Sequence, residues 1–514
     1  MSSIRLAQAA GIVGVTMLLS RILGFLRNSI IAAQFGQTRL VDMYNAAYFL
    51  PDALYLILIG GAVSSAFIPV LAGYLARGQR EEVWEVSSIA FNLVLVVMSA
   101  VVLVGLVAAP LLVHLLTPGF DPDEAAFTAF LVRVMLVAML FNSLNGVLYG
   151  VEYAHNYFWA TGIGPLFYNL AIIGLGLGLA GVWGIVGFAY GVLAGSFLNF
   201  LVQLWGIRHL HPRFKWSLNW RHPGVRRVGT LMIPIVLSAA VWQVNLLVNQ
   251  PLLGSFLARG SINALSISSR IMLLPVSFAT SLAIPLLPAL SGHLARDDRQ
   301  RFRGHISSSL GAVIFVTLPA SVGLVVLARP IISLLFQHGQ FTPHATYVTS
   351  QALLFYAVGI LAYSCLEILY RAFYALQDTV TPLKIGIWYV AVGMVLNLVL
   401  VRYLNYRGLA LAYSLAGFFN LALVWMALRR RLGPVGGRNL ASNAARTLVA
   451  AALMGVVVAG FRTWLETLPW PAGLAGQALE VVLEIGLGAA SFTLYAWLLR
   501  TPELVLVFSR LRRS

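Results

Sequence analysis

The chain reads as an all-α polytopic membrane protein, and three observations carry that reading. Of its 514 residues 60% are hydrophobic and only 10% charged, with a mean hydropathy of +0.86, whereas a soluble domain carries about 25% charged residues. The apolar residues gather into runs of about 20 or more, the length a helix needs to cross the hydrocarbon core. Those runs lack the alternation of a half-buried strand, and in lipid only helices and closed barrels satisfy their own backbone groups.

Apolar runs between charged or Pro/Gly breaks predict about 14 transmembrane helices. They lie near 7–35, 40–75, 84–116, 125–153, 157–180, 183–207, 226–257, 262–294, 304–336, 345–375, 381–401, 408–428, 443–463 and 475–499. The second contains Pro51 and Pro69 and the eighth Pro275, Pro285 and Pro288, which predicts kinks. "MSSIR" leads into an apolar run too long for a signal-peptide core, so the first helix is expected to serve as its own insertion signal. Cys365 is the single cysteine, which excludes an intrachain disulfide.

Fourteen spans put both termini on one side, and the basic residues choose which. The loops on the side of Arg5, "ARGQR" (76–80) and "RRR" (429–431) hold 24 Lys and Arg, against six on the other side with Arg39 and the acidic "TPGFDPDE" (117–124). That asymmetry predicts cytoplasmic termini. It also accounts for the net charge of +17 without nucleic acid. The basic loop 208–227, with Trp216 and Trp220, reads as a connector on the membrane surface among lipid headgroups; no nucleic-acid-reading module accompanies it.

An internal repeat is visible. "PVLAGYLARGQR" (69–80) returns as "PALSGHLARDDR" (288–299), "APLLVHLLTPGF" (109–120) as "RPIISLLFQHGQF" (329–341), and "VLYGVEYA" (147–154) as "ILYRAFYA" (368–375), at an offset near 220 residues. Two parallel-repeat six-helix lobes are therefore expected, over 1–215 and 216–432, with two extra transmembrane helices in 433–514. Parallel halves around a site are a transporter's architecture.

Arg21, Arg27, Arg133 and Arg270 fall inside predicted spans, where an arginine costs about 2.5–3.5 kcal/mol on insertion scales. Asp42 and Asp52 lie in the second run. One reading pairs these aspartates with the arginines to hold helices in register. The other is a water-filled cavity with a net positive lining, suited to an anion such as phosphate, which the planar guanidinium fork binds bidentately. Three arginines (Arg21, Arg27, Arg270) against two aspartates favour the cavity, since buried pairs seldom repay desolvation. Arg133 and Glu367 fit either a cavity or a pair. "GLGLGLAG" (174–181) reads as close helix packing. No Walker sequence, metal-ligand spacing or nucleophile–base constellation occurs, so neither a cofactor, a metal nor an enzyme activity is predicted.

"SRILGFLRNSIIAAQFG" (20–36), "VDMYNAAYFLP" (41–51), "GGAVSSAFIPVLAGYLARG" (60–78), "SSRIMLLP" (268–275), "PLLPALS" (285–291) and "LYRAFYALQDTVTPLKI" (369–385) resemble the MurJ (MviN) family of lipid II flippases, within the multidrug/oligosaccharidyl-lipid/polysaccharide exporter superfamily. The resemblance runs along essentially the whole chain. It implies two lobes around a cationic cavity, a groove for the lipid tail at the last helix pair, and alternating access that carries the pyrophosphate-linked peptidoglycan precursor outward. It also implies peptidoglycan-synthesis machinery as a partner. By likeness, Arg21, Arg27 and Arg270 would hold the pyrophosphate and Asp42 would pair with or gate them. The sequence departs from the family pattern where an aspartate is replaced by Asn28, an arginine by Tyr55, and a sodium-binding aspartate by Asn249; Asp52 is added nearby. These departures keep open a flippase for another polyprenyl-linked glycan; a cation-coupled small-molecule exporter of the same superfamily is the further alternative, against which stands the cationic lining, since such exporters are expected to use acidic cavity residues.

Overall fold

The computed structural model describes residues 3–56, 66–296, 298–467 and 473–504. The start of the 60–78 motif and the basic tail beyond 504 lie outside them. The described residues form helices and no strand. In chain order they are α1 (Ser3–Phe35), α2 (Arg39–Tyr55), α3 (Ile68–Ala76), α4 (Arg80–Leu116), α5 (Pro122–Ala154), α6 (Trp159–Trp183), α7 (Val186–Ile207), α8 (Pro223–Leu247) and α9 (Ser261–Ala295). Then follow α10 (Arg299–Val326), α11 (Ala328–Phe336), α12 (Pro343–Val358), α13 (Ile360–Ala375), α14 (Val380–Leu404), α15 (Tyr406–Leu432), α16 (Gly437–Leu465) and α17 (Leu474–Leu498). Ten of the described helices are long and apolar enough to cross a membrane, or eleven when α12 and α13 count as one bent span. By that measure the fourteen read from the sequence are not all reached. Part of the difference is that α2 and α3 are each shorter than a span. Helix α8 passes into a π-helical turn at Val248–Leu252 around Pro251. Helix α9, in contrast, runs on through Pro275, Pro285 and Pro288.

The chain divides into two compact units, one of residues 1–263 with 338–340, the other of 264–337 with 341–514. The core of the first is built on α5, whose Leu131, Val132, Met135, Leu136 and Met139 pack with Ile172 of α6 and Phe188 of α7. Within "GLGLGLAG" only Gly176 is a packing glycine: a Cβ there would collide with the Phe188 ring, while Gly174, Gly178 and Gly181 face open space. Close packing thus explains one glycine of that run.

The repeat seen in the sequence recurs as matched local geometry. The α5–α6 turn bonds Tyr157 N to Glu152 O (2.9 Å) and Asn156 N to Tyr153 O (3.0 Å), and the α13–α14 turn bonds Asp378 N to Phe373 O (3.0 Å) and Gln377 N to Tyr374 O (3.0 Å). Asn156 and Gln377 share a left-handed backbone, φ 57° and 56°. Asn199 donates to the Tyr149 hydroxyl (3.1 Å) as Asn420 does to Tyr370 (2.9 Å). Between α6 and α7 stands Gly184 at φ 56°, ψ −136°, and between α14 and α15 stands Asn405 at φ 52°, ψ −135°.

In the second unit α12 and α13 meet at 42° about Gly359. Gly359 N bonds Tyr356 O (3.0 Å), one residue short of the helical partner, which frees the Phe355 carbonyl. Ser414 of α15 donates to that carbonyl at 2.7 Å. Gly359 is what lets α15 come so close, since a Cβ there would stand 2.7 Å from Ser414 Oγ. A bend inside apolar surroundings persists only where a neighbour re-satisfies the freed backbone group.

Residues 211–222, between α7 and α8, lie along the start of α4. Asn92 Nδ2 donates to the carbonyls of Lys215 (2.9 Å) and Ser217 (3.1 Å), and Ser88 Oγ accepts from Lys215 N (3.0 Å). Phe214 packs on Trp84 and Phe91. The backbone of the segment is turned inward by these contacts, which leaves Trp216 and Trp220 exposed.

Two outcomes are expected in detergent-solubilised protein. Asn405→Gly relieves a conformation that glycine alone adopts freely, so it should raise the unfolding midpoint, by about 1 kcal/mol in stability. Ser414→Ala leaves the Phe355 carbonyl without a donor and should lower stability by about 1–3 kcal/mol. Thermal unfolding monitored by intrinsic fluorescence checks both.

Candidate functional site

Helix α1 carries Ser20, Arg21, Arg27 and Asn28. Arg27 lies about three-quarters of the way along the apolar α1 (Ser3–Phe35) yet is only 6% exposed. One terminal nitrogen donates to Asn169 Oδ1 of α6 and the other to Asn28 Oδ1, both at 3.4 Å. The guanidinium stands over the Tyr48 ring at 5.7 Å, and the Tyr48 hydroxyl bonds that of Tyr168 at 3.1 Å. Asn169 is itself fixed, donating to Pro165 O (3.0 Å) and to Ser20 Oγ (3.3 Å). Among the described residues the Arg27 Nε–H has no partner, and the partners of the other nitrogens are neutral. The site therefore holds a positive charge in place without cancelling it, with a donor still unused.

Tyr48 and Tyr168 also line a small polar cleft with Asp52, Tyr55 and Asn142. Asp52 is exposed and Tyr55 half-buried. The structure thus brings Arg27, Asn28, Asp52 and Tyr55 around one aromatic pair. Arg21 is exposed on α1. Arg270 of α9 is half-buried, its Nε donating to Ser266 Oγ at 3.4 Å.

Asp42 stands elsewhere. It is fully buried, and its carboxylate accepts from Gly260 N (2.6 Å) and Asn263 N (2.8 Å), capping the first turn of α9. Gln37 Nε2 donates to Gly260 O (2.9 Å) and Asn45 Nδ2 to Asn263 Oδ1 (3.1 Å). Arg39 lies 3.9 Å from Asp42, pairs with Glu124 of α5 at 3.1 Å, and stacks over Phe120. Gly260 has φ 87°, and a Cβ there would meet Gln37 O at 2.6 Å. The Asp42 carboxylate is thus committed to a backbone cap, with Arg39 beside it.

Sequence reading missed Asn169, Arg39, Glu124 and Asn263. The one signal for Asn169 was an amide alone in the apolar "LFYNLAI". Of the two charges left open, Arg133 donates to the Leu106 carbonyl of α4 (3.0 Å), while Glu367 lies 3.9 Å from Arg371, one turn along α13. Asn249 is buried in the π-helical turn after α8. Glu82, Glu85 and His222 come within ligand distance of one another. His222 Nδ1, however, accepts from Gly224 N (3.2 Å), so Nε2 carries the proton toward Glu82 (3.2 Å) and offers a metal no lone pair.

A helical membrane bundle with a charged group held uncancelled inside it defines a transporter. Solved transporter structures share the fold: "Lipid II flippase MurJ, inward closed conformation" matches with a TM-score of 0.77 and 24% identity, covering 94% of this chain and 97% of that one. An inward-facing multidrug resistance MATE family transporter matches with a TM-score of 0.69 and 13% identity over 84% of this chain and 99% of that one. The profile of the family described as "Lipid II flippase MurJ" matches residues 31–470, and the chain belongs to that family. Its relatives include the "Probable lipid II flippase MurJ" of Vibrio cholerae, 30% identical over 95% of each chain, and the "Lipid II flippase MurJ" of Burkholderia cenocepacia, 29% identical over 93% of each.

Asp42→Ala strands two buried backbone N–H groups and should lower stability by about 2–4 kcal/mol, with Asp42→Asn costing less because one acceptor remains. Limited proteolysis within 253–260, alongside the unfolding midpoint, reads the loss.

Proposed function

We infer that this chain is a lipid II flippase, a transporter that makes and breaks no bonds. It moves the undecaprenyl-pyrophosphate-linked peptidoglycan precursor across the bacterial inner membrane by alternating access. The observation that carries the reading is Arg27: a charged fork held open by Asn169, with an unused donor, inside a member of this family. A pyrophosphate supplies the oxygens such a fork lacks.

In this reading Arg21, Arg27 and Arg270 grip the pyrophosphate, with Asn28, Asp52 and Tyr55 shaping the space around it. Lobes 1–215 and 216–432 alternate access, with the termini and most basic loops in the cytoplasm. Asp42 acts through the α9 cap rather than on the ligand. Helices 433–514 supply the tail groove. In support of that, a largely apolar cavity of about 440 Å³ lies between α10, α11, α16 and α17, lined by Phe315, Ile331, Met454, Val458 and Phe492, with Glu484 in its wall. Membrane lipids and peptidoglycan-synthesis proteins are the partners that such a role entails.

The test is outer-face exposure of lipid II in cells depleted of their own flippase, with this chain as the replacement. The native chain restores exposure and Arg27→Ala, at matched membrane expression, abolishes it. Asn169→Ala, which frees the guanidinium without removing its charge, should cut the rate by about tenfold, the worth of one hydrogen bond to an ion. Failure of the correctly inserted native chain would turn the reading toward another polyprenyl-linked glycan, with Asn28 and Tyr55 as the altered contacts.

A further inference from the structure

Besides Arg27 and Asp42, the first unit contains a third buried charge-bearing group, far along the chain from both. Glu152, in the last turn of α5, is 0% exposed, and neither carboxyl oxygen has a hydrogen-bond partner among the described residues. It sits in the wedge of α5, α6 and α7. The place a Cβ on Gly206 would occupy is met by Glu152 Oε1 (2.7 Å), Tyr157 Cε1 (3.6 Å) and the Ala160 methyl, so the missing side chain at 206 is the room the carboxyl fills. Gln203, one turn before Gly206, donates through Nε2 to Ala160 O (3.1 Å) and to Asn199 (3.0 Å). Its own Oε1 is a further acceptor without a donor. Aromatic rings cover the wedge: Tyr157 stacks on His209, and Trp205 contacts both His209 and Trp159.

The repeat shows that packing does not require this acid. In the matching turn of the second unit the position of Glu152 is Phe373, that of Gln203 is Val424, and both are fully buried. The position of Gly206 is Ala427. One backbone geometry is thus filled once with apolar groups and once with an acid, an amide and a glycine that makes space for them.

The titratable groups around Glu152 are Tyr149 and Tyr153 on α5 and Tyr157 in the α5–α6 turn, with His209 behind Tyr157; α6 and α7 contribute neutral groups. No cation is paired with it among the described residues. An ionised carboxylate in such a place loses its hydration and gains nothing in return, whereas a carboxylic acid is neutral and becomes a donor among surplus acceptors. We propose that Glu152 is a proton-binding site, protonated while the α5–α6–α7 wedge is closed and releasing its proton to water when the α5–α6 turn opens. Opening then exchanges a proton with the aqueous phase on the side of the 208–222 loop, and by linkage a rise in pH on that side favours the open wedge.

The test needs no lipid substrate, so it stands or falls apart from the transported molecule. Infrared spectra of the purified full chain in detergent, recorded across pH, should show a protonated-carboxyl band that titrates and is absent in Glu152→Gln. Hydrogen–deuterium exchange over 154–159, corrected for intrinsic rates, should speed up with pH in the native chain. Glu152→Gln, which mimics the neutral acid, should lose that dependence. The combined variant Glu152→Phe, Gln203→Val, Gly206→Ala, which installs the residues of the second unit, should be pH-independent too and guards against misfolding of the single variant. A native spectrum from which Glu152→Gln removes no protonated-carboxyl band would overturn the proposal, since the group would then be ionised and held by a cation. An exchange profile that keeps its pH dependence in both variants would overturn it equally, assigning the response to His209 or the tyrosines.

Discussion

In a bilayer there is no water to complete a hydrogen bond, so every polar group that leaves the regular helical ladder must find a partner within the protein. Much of the structure follows from that constraint. The bend at Gly359 exists because Ser414 takes up the carbonyl it releases. The start of α9 is held because Asp42 accepts its N–H groups. In each case one polar side chain on a neighbouring helix decides where the chain can leave its regular path.

The functional groups invert the same rule. Arg27 is supplied with enough neutral contacts to be held and too few to be satisfied. A carboxylate partner would have locked the charge into a structural pair, at a cost in desolvation that such pairs seldom recover. Asparagine and tyrosine orient the fork and leave its field intact, so under the proposed function an anion would meet a site already arranged for it. Binding then costs little reorganisation.

What the sequence made legible was whatever depends on local chain or on composition. Helical class, the intramembrane arginines and the repeat were all readable, the last because the turns after 154 and 375 are set by the few residues that form them. What it hid depends on distant partners. Asp42 is an obvious buried charge, but its partner Gly260 is more than two hundred residues away and offers only backbone, which carries no signature. The run 345–375 looks like one helix because Gly359 is unremarkable until Ser414 stands against it. Glu152 lay inside the quoted repeat, yet a carboxylate near the end of a span ordinarily reaches headgroup water; only the ring cover over the wedge removes that escape.

The paired turns at Asn156 and Gln377 carry a historical consequence. Neither is glycine, and both hold a left-handed backbone that costs a side-chain-bearing residue about 1 kcal/mol or more. Flanking residues have diverged until histidine and tyrosine stand where leucine and aspartate do, while the hydrogen bonds have been kept. Such fidelity of backbone over identity is the trace of tandem duplication. Two such halves in one chain need not stay identical, since a substitution in one is not repeated in the other. An acid such as Glu152 could arise in one half alone, with no twin imposed on the other.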